Sequence, residues 1–352
     1  MVEENISLKN ILTNNTKEGL LYRKNENARI ECFACGHRCI IGNGKDGICK
    51  IRFNRNGTLF VPYGYVNTLQ IDPIEKKPFF HAFPGAHALS FGMLGCDYHC
   101  GYCQNWITSQ AIRDANAIAS IHKITPEQII QYAFKAKSTI LTSTYNEPLI
   151  TSEWAAEIFK MAKQHNLITS FVSNGNGTAE AIEFLYPYLD LYKIDLKGFN
   201  DKNYRQLGGV LQNVLDTIQL LFHKNIWIEI VTLIVPSFND SKEELRDIAN
   251  FIASVSKNIP WHVTAFHPDY KMNTIDSTPV NSLLSAVEIG YESGLDFVYA
   301  GNIHGTLQQY ENTFCPQCKV VLIERRGFRV IKNLLVNGCC PKCFVHIPGR
   351  WN

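Results

Sequence analysis

Across residues 86–305, short runs of β-branched and aromatic residues alternate with longer stretches in which apolar positions fall three and four apart. The first pattern predicts buried strands and the second amphipathic helices, and their alternation marks βα units wound on a parallel sheet. Candidate strands are residues 89–94, 139–144, 168–173, 190–195, 227–234, 261–266 and 296–300. Between them, Thr125 to Lys137 opens with Thr-Pro-Glu, an N-cap and a favourable first turn, and Ser241 to Val255 starts on a serine followed by two glutamates. Six or seven such units are too few for a closed eight-stranded barrel. They suit an open partial barrel of the (β/α)6 type, with chemistry expected just past the C-terminal ends of the strands.

A chain of 352 residues has room for about two domains, or one barrel with appendages. Apolar residues at 45% and charged residues at 19% exclude a largely disordered or collagen-like chain. With 34 Lys and Arg against 32 Asp and Glu, the net charge of +2 supplies no global field for nucleic acid or an anionic membrane. The longest apolar runs, such as Ile226 to Pro236, are broken by Glu229 and too short to span a bilayer. Glu3, Glu4, Asn5, Lys9 and Asn10 leave no apolar core for a secretory signal, so the expected address is cytoplasmic. In that reducing compartment twelve cysteines point to metal ligation rather than disulfides.

The cysteines fall into three groups with none between 103 and 315, which divides the chain into a Cys-rich N-terminal module (1–85), the βα core (86–305) and a Cys-rich tail (306–352). The middle group, Cys96, Cys100 and Cys103, lies in the loop Gly95 to Asn105 after the first core strand. Three thiolates so close can wrap one corner of a cubane cluster and leave a fourth iron open. A structural zinc would want a fourth donor, and His99, adjacent to Cys100, would ligate only under strain.

Cys96-x3-Cys100-x2-Cys103, with Tyr102 before the last cysteine, resembles the radical S-adenosylmethionine (SAM) superfamily. Gln104-Asn105-Trp106 and the stretch Asp72 to Pro78 further resemble the radical SAM member of the AmmeMemoRadiSam system, related to the pyruvate formate-lyase activating enzymes; the similarity runs from about Cys32 to Trp351. The resemblance implies an α/β partial barrel carrying a [4Fe-4S] cluster on Cys96, Cys100 and Cys103. Its open iron would bind the amino and carboxylate groups of SAM, and reductive cleavage would give a 5'-deoxyadenosyl radical that abstracts hydrogen from a protein or another substrate. It also implies an electron donor such as a flavodoxin or ferredoxin, and AMMECR-type and Memo-type partners.

By the same resemblance the strand ends carry the SAM contacts. Asn146 and Glu147 follow the second core strand, Glu147 as acceptor for the ammonium, although the superfamily often has Gly-Gly-Glu where this chain has Tyr145-Asn146-Glu147. Ser173 and Asn174 follow the third. Asp195 is expected at the ribose hydroxyls, Lys197 at the carboxylate and His267 near the adenosyl group. Arg205, Glu229 and Asn302-Ile303-His304 are candidates for the substrate side.

The outer groups also suit metals. Cys315-x2-Cys318 and Cys340-x2-Cys343, 21 residues apart around a hairpin at Arg326-Gly327, form a zinc-ribbon-like arrangement. Lys319 and Phe344 stand where such knuckles usually have glycine, and Cys339 is left over, able to replace Cys340. Cys32, Cys35, Cys39 and Cys49, with His37 as a substitute, suit zinc or a second iron-sulfur cluster equally by spacing. A zinc-ribbon scaffold or nucleic-acid-binding protein using Arg325, Arg326 and Arg329 is the competing reading, and the near-zero net charge speaks against it.

Overall fold

The computed structural model describes residues 8–303 and 307–351. Its centre is one sheet of eight strands: β1 (Thr68–Pro73), β2 (His87–Gly92), β3 (Ile140–Ser143), β4 (Ile168–Ser173), β5 (Leu191–Asp195), β6 (Trp227–Ile234), β7 (Trp261–Ala265) and β8 (Val298–Gly301). Each lies beside its chain neighbour, so the sheet is singly wound, as a partial barrel requires. β2 to β8 are parallel, and β1 runs antiparallel to β2 along the open edge.

The seven parallel strands are those the apolar runs predict, with ends displaced by at most two residues; the first begins at His87 rather than at 89 and ends at Gly92 rather than at 94. β1 escapes a search for apolar runs because it is an edge strand: Ile71 is half exposed and Gln70 faces solvent. A strand covered on one side needs no continuous apolar sequence.

The crossovers are α1 (Pro126–Lys135), α2 (Ser152–Gln164), α3 (Ala179–Leu185), α4 (Asp201–Leu207), α5 (Leu211–His223), α6 (Lys242–Val255) and α7 (Val280–Glu292). Thr125 caps α1 in a reciprocal box: its hydroxyl accepts from Gln128 N, and the Gln128 side chain accepts from Thr125 N. Ser241 caps α6 in the same position, accepting from Glu244 N. Along the strands, side chains alternate between the helices and the concave face. Ile194, Ile230 and Val263 are fully buried in the cluster with the helices.

Two further segments close this frame. Ile74, Phe79 and Ala82, which follow β1, pack with Ala88, Ile140 and Leu191 at the N-terminal ends of the strands and plug the barrel floor. The N-terminal segment, two small three-stranded antiparallel sheets, shares the main apolar cluster: Ile30, Leu59 and Val61 join Trp154 and Phe159 of α2. In the tail, β9 (Thr313–Phe314), β10 (Val321–Arg326) and β11 (Arg329–Asn333) form an antiparallel sheet whose Leu322 and Ile323 pack on Phe80 and Tyr299. No described helix is long and apolar enough to cross a membrane.

Candidate active site

A cavity of about 550 Å³ opens on the concave face toward the C-terminal ends of the strands. Strand alternation decides who lines it: Lys193 and Asp195 of β5, Val231 and Leu233 of β6, His262 and Thr264 of β7. Cys100, Tyr102 and Cys103 line it from the loop after β2, so two of the three motif thiols face the same space as the charged end of β5.

The loop is built on a sharp reversal at Gly95, whose φ of +96° favours glycine, and where a Cβ would stand 3.1 Å from Ile51. Asp97, fully buried, pins it to the end of β4 by accepting from Asn174 Nδ2 at 2.7 Å and Asn176 Nδ2 at 2.8 Å. The Cys96 sulfur accepts from Tyr98 N at 3.3 Å, and the Cys103 sulfur lies 3.2 Å from the Ser109 hydroxyl. Burial pushes all three thiols up, Cys100 to about 12. Thiolates here therefore need a cation bonded directly to them. His99 is exposed and lies against Gly208, leaving the donor set at three. Three thiols on one short loop, two of them opening on the cavity, fit a [4Fe-4S] cluster with one iron left open.

At the end of β5, Lys193 and Lys197 share one carboxylate: Lys193 Nζ bonds Asp195 Oδ1, and Lys197 Nζ lies 3.3 Å from Oδ2. Burial alone would raise the Asp195 carboxyl, yet the two ammonium groups hold it below the usual carboxylate range. Burial likewise disfavours the Lys197 cation, and Asp195 overcomes it. Lys193 was not singled out from the sequence. It stands two residues before Asp195, so the alternation that pairs Asp195 with Lys197 identifies it too.

Four expected contacts lie in the wall beneath the loop instead of lining the cavity. Glu147 Oε1 accepts from Ser173 Oγ at 2.7 Å and Leu149 N at 3.0 Å, and Oε2 accepts from Asn174 N at 2.8 Å. Burial, with the Asp97 carboxylate adding to it, pushes Glu147 up to about 8. Asn146 Oδ1 accepts from Met93 N at 2.9 Å, and Asn174 Oδ1 from Asn176 N at 2.9 Å. Glu147, Ser173, Asn174 and Asp97 are thus one connected network behind the motif loop.

His267 is exposed, with Nε2 2.8 Å from the carbonyl of Asn302, a residue that does line the cavity. Arg205 points away, paired with Asp201 at 3.0 Å on the surface of α4. Glu229 sits behind the lining, accepting from Phe80 N, His81 N and Trp227 Nε1 and bonding His262 Nε2 at 2.7 Å; His262 is the one that faces the cavity. His304 lies outside the described residues. On the opposite rim, Lys77 donates to Asp72 at 2.8 Å and to the Tyr145 hydroxyl at 3.2 Å. Sequence spacing gave no signal for this rim, since Lys77 and Tyr145 meet only through the fold.

Of the outer cysteines, the C-terminal four converge: Cys315, Cys318, Cys340 and Cys343 place their sulfurs within 4.8 Å of one another, with Cys340 rather than Cys339 in the group. Among the described residues no such grouping holds Cys32, Cys35, Cys39 and Cys49, and His37 Nε2 lies 4.0 Å from Asp97.

Comparison with known proteins agrees with this geometry. The Radical SAM superfamily model matches residues 92–252. The chain is 36% identical over 314 residues to an uncharacterized protein of Methanocaldococcus jannaschii, covering 89% of this chain and 92% of that one. It is 26% identical over 215 residues to the pyruvate formate-lyase-activating enzyme of Clostridium pasteurianum, covering 55% and 85% respectively. A radical SAM methyltransferase from Sphaerobacter thermophilus shares the fold, with a TM-score of 0.50 and 14% identity over 69% of this chain and 72% of that one. The chain belongs to the radical SAM superfamily, whose members cleave SAM by radical chemistry.

Proposed function

We propose that the cavity is the active site of an activating-enzyme-like radical SAM enzyme, with Cys96, Cys100 and Cys103 holding a [4Fe-4S] cluster and SAM lying between it and the end of β5. The observation that carries this reading is the shared lining: Cys100 and Cys103 open onto the same space as Lys193, Asp195 and Lys197. When bound and reduced, the cluster supplies the electron that cleaves SAM to a 5'-deoxyadenosyl radical.

The chain's own task is to hold charge and exclude water. Lys197, paired with Asp195 on the cavity wall, would meet the SAM carboxylate, and Asp195 would accept from its ribose hydroxyls. Glu147, behind the motif loop, holds the Ser173 hydroxyl and the Asn174 amide and so steadies the end of β4 on which Asp97 is anchored. Val231, Leu233, Tyr102 and Phe80 give the cavity apolar walls, which suit an uncharged C–H donor such as the backbone of a protein segment. The AMMECR-type and Memo-type proteins are the first partners to try, with a flavodoxin or ferredoxin as reductant.

The test is anaerobic reconstitution of the full chain. The protein should turn brown, bleach with dithionite, change its paramagnetic signal on SAM addition and release 5'-deoxyadenosine; Cys100→Ala should abolish all four. Deoxyadenosine from Cys100→Ala, or a loaded protein indifferent to SAM, would overturn the assignment. Deuterium passing from a labelled partner protein into deoxyadenosine identifies the hydrogen donor.

A further inference from the structure

We propose that Cys315, Cys318, Cys340 and Cys343 bind one zinc ion, and that this ion shapes the cavity by fixing the β10–β11 hairpin as one of its walls. The two halves of the proposal rest on separate observations. The first is the size of the cage. A zinc ion with four thiolates at about 2.3 Å forms a tetrahedron with edges of about 3.8 Å. The Cys315 and Cys343 sulfurs are 3.5 Å apart and those of Cys318 and Cys340 are 3.6 Å apart, with all four within 4.8 Å. These separations are far beyond a disulfide bond. They are also too tight for a cubane cluster, which sets a separate iron beneath each thiolate.

The backbone around the cage has the form of two matched knuckles. Lys319 N donates to Cys315 O at 3.0 Å, and Phe344 N to Cys340 O at 2.9 Å. Both residues take the left-handed conformation that glycine usually supplies here, with φ of 60° and 62°. The substitution of Lys and Phe for glycine is therefore accommodated and the knuckle geometry kept.

The second observation is where the ribbon goes. Cys315, Cys340, Leu322 and Ile323 belong to one apolar cluster with Phe80 and Tyr299, and both of these aromatic residues line the cavity. Arg325 at the end of β10 is 2% exposed; it donates to the Phe80 carbonyl at 2.7 Å and its guanidinium sits 4.3 Å from the centre of the Phe80 ring. The same guanidinium lies 3.6 Å from Glu75, another cavity residue, whose Oε2 is buried without a hydrogen-bond partner. Phe328, in the hairpin turn, reaches the cavity itself. A partial barrel leaves one side unsealed, and here the ribbon covers it. Without a metal the four thiols no longer tie Cys315 to Cys343 across the ribbon, and Phe80, Glu75 and Phe328 lose their support.

Metal analysis and hydrogen exchange on the full chain test this without reference to radical chemistry, so its failure is separable from failure of the proposed function. Protein grown with zinc available should carry one zinc per chain beyond its iron; a chain with no zinc, or with iron in the cage, overturns the assignment. Cys340→Ser/Cys343→Ser should lose that zinc, and amides of residues 75–83 and of β10–β11 should exchange at least tenfold faster, while α1 is unchanged. Arg325→Met should retain zinc yet still speed exchange at 75–83, which guards against a cysteine variant that fails to fold. Unchanged exchange at 75–83 in either variant overturns the coupling of ribbon to cavity.

Discussion

At Glu147, burial and a neighbouring carboxylate act on a group that three protein donors already hold. Its folded-state value near 8 lies above that of the unfolded chain, so the folded protein binds more protons and stability falls as pH rises between about 4.5 and about 8. Glu147→Gln removes the titration. In iron-free protein, urea denaturation from pH 5 to 8 should show a shallower fall in stability for the variant, whatever constant offset the amide introduces. An unchanged slope would show that Glu147 does not titrate in this range. The residue scale is also where reading by spacing reached its limit. Asp195 and Lys197 could be placed by alternation, whereas the depth of Glu147 in the wall depends on Asp97 and Asn174, which come from the loops after two other strands.

Secondary-structure elements are more legible because their determinants are local. The seven parallel strands follow from apolar runs bounded by turn residues, and α1 and α6 from caps visible as Thr125 and Ser241. Thr125→Ala breaks the capping box and should cost about 1 kcal/mol, measured as a lower denaturation midpoint with an unchanged slope. The knuckles show the opposite case. Without glycine after the second cysteine, the sequence suggests a strained turn, and the structure keeps the turn by placing Lys319 and Phe344 in the left-handed region. Each carries a conformational cost of about 1–2 kcal/mol, set against the knuckle hydrogen bonds from Lys319 N to Cys315 O and from Phe344 N to Cys340 O.

For the molecule as a whole, the N-terminal segment is joined to the barrel by more than apolar contact. Arg52 and Glu153, each 1% exposed, form a two-pronged ion pair at 2.7 and 2.8 Å, and Arg52 also donates to the Ile150 carbonyl at 3.1 Å. Removing one partner leaves the other charge buried, so Arg52→Ala should destabilise the protein by about 3–5 kcal/mol. Replacing both, as Arg52→Met/Glu153→Leu, should cost less than either truncation by urea denaturation. A double variant worse than the single ones would show that the pair contributes more than the cost of its own burial.

The sequence by itself determined what spacing along the chain can encode: the strand and helix periods, the caps, the three-thiol loop and the paired Cys-x2-Cys turns. Only the tertiary structure decided which of these meet, because the contacts that shape the cavity join distant residues. Phe80 bonds Glu229 across 149 positions and Arg325 across 245, and the sheet's winding brings them together. Periodicity fixes the face on which a side chain lies; the neighbour it finds there is set by how strands, plug and ribbon pack to bury their apolar surfaces.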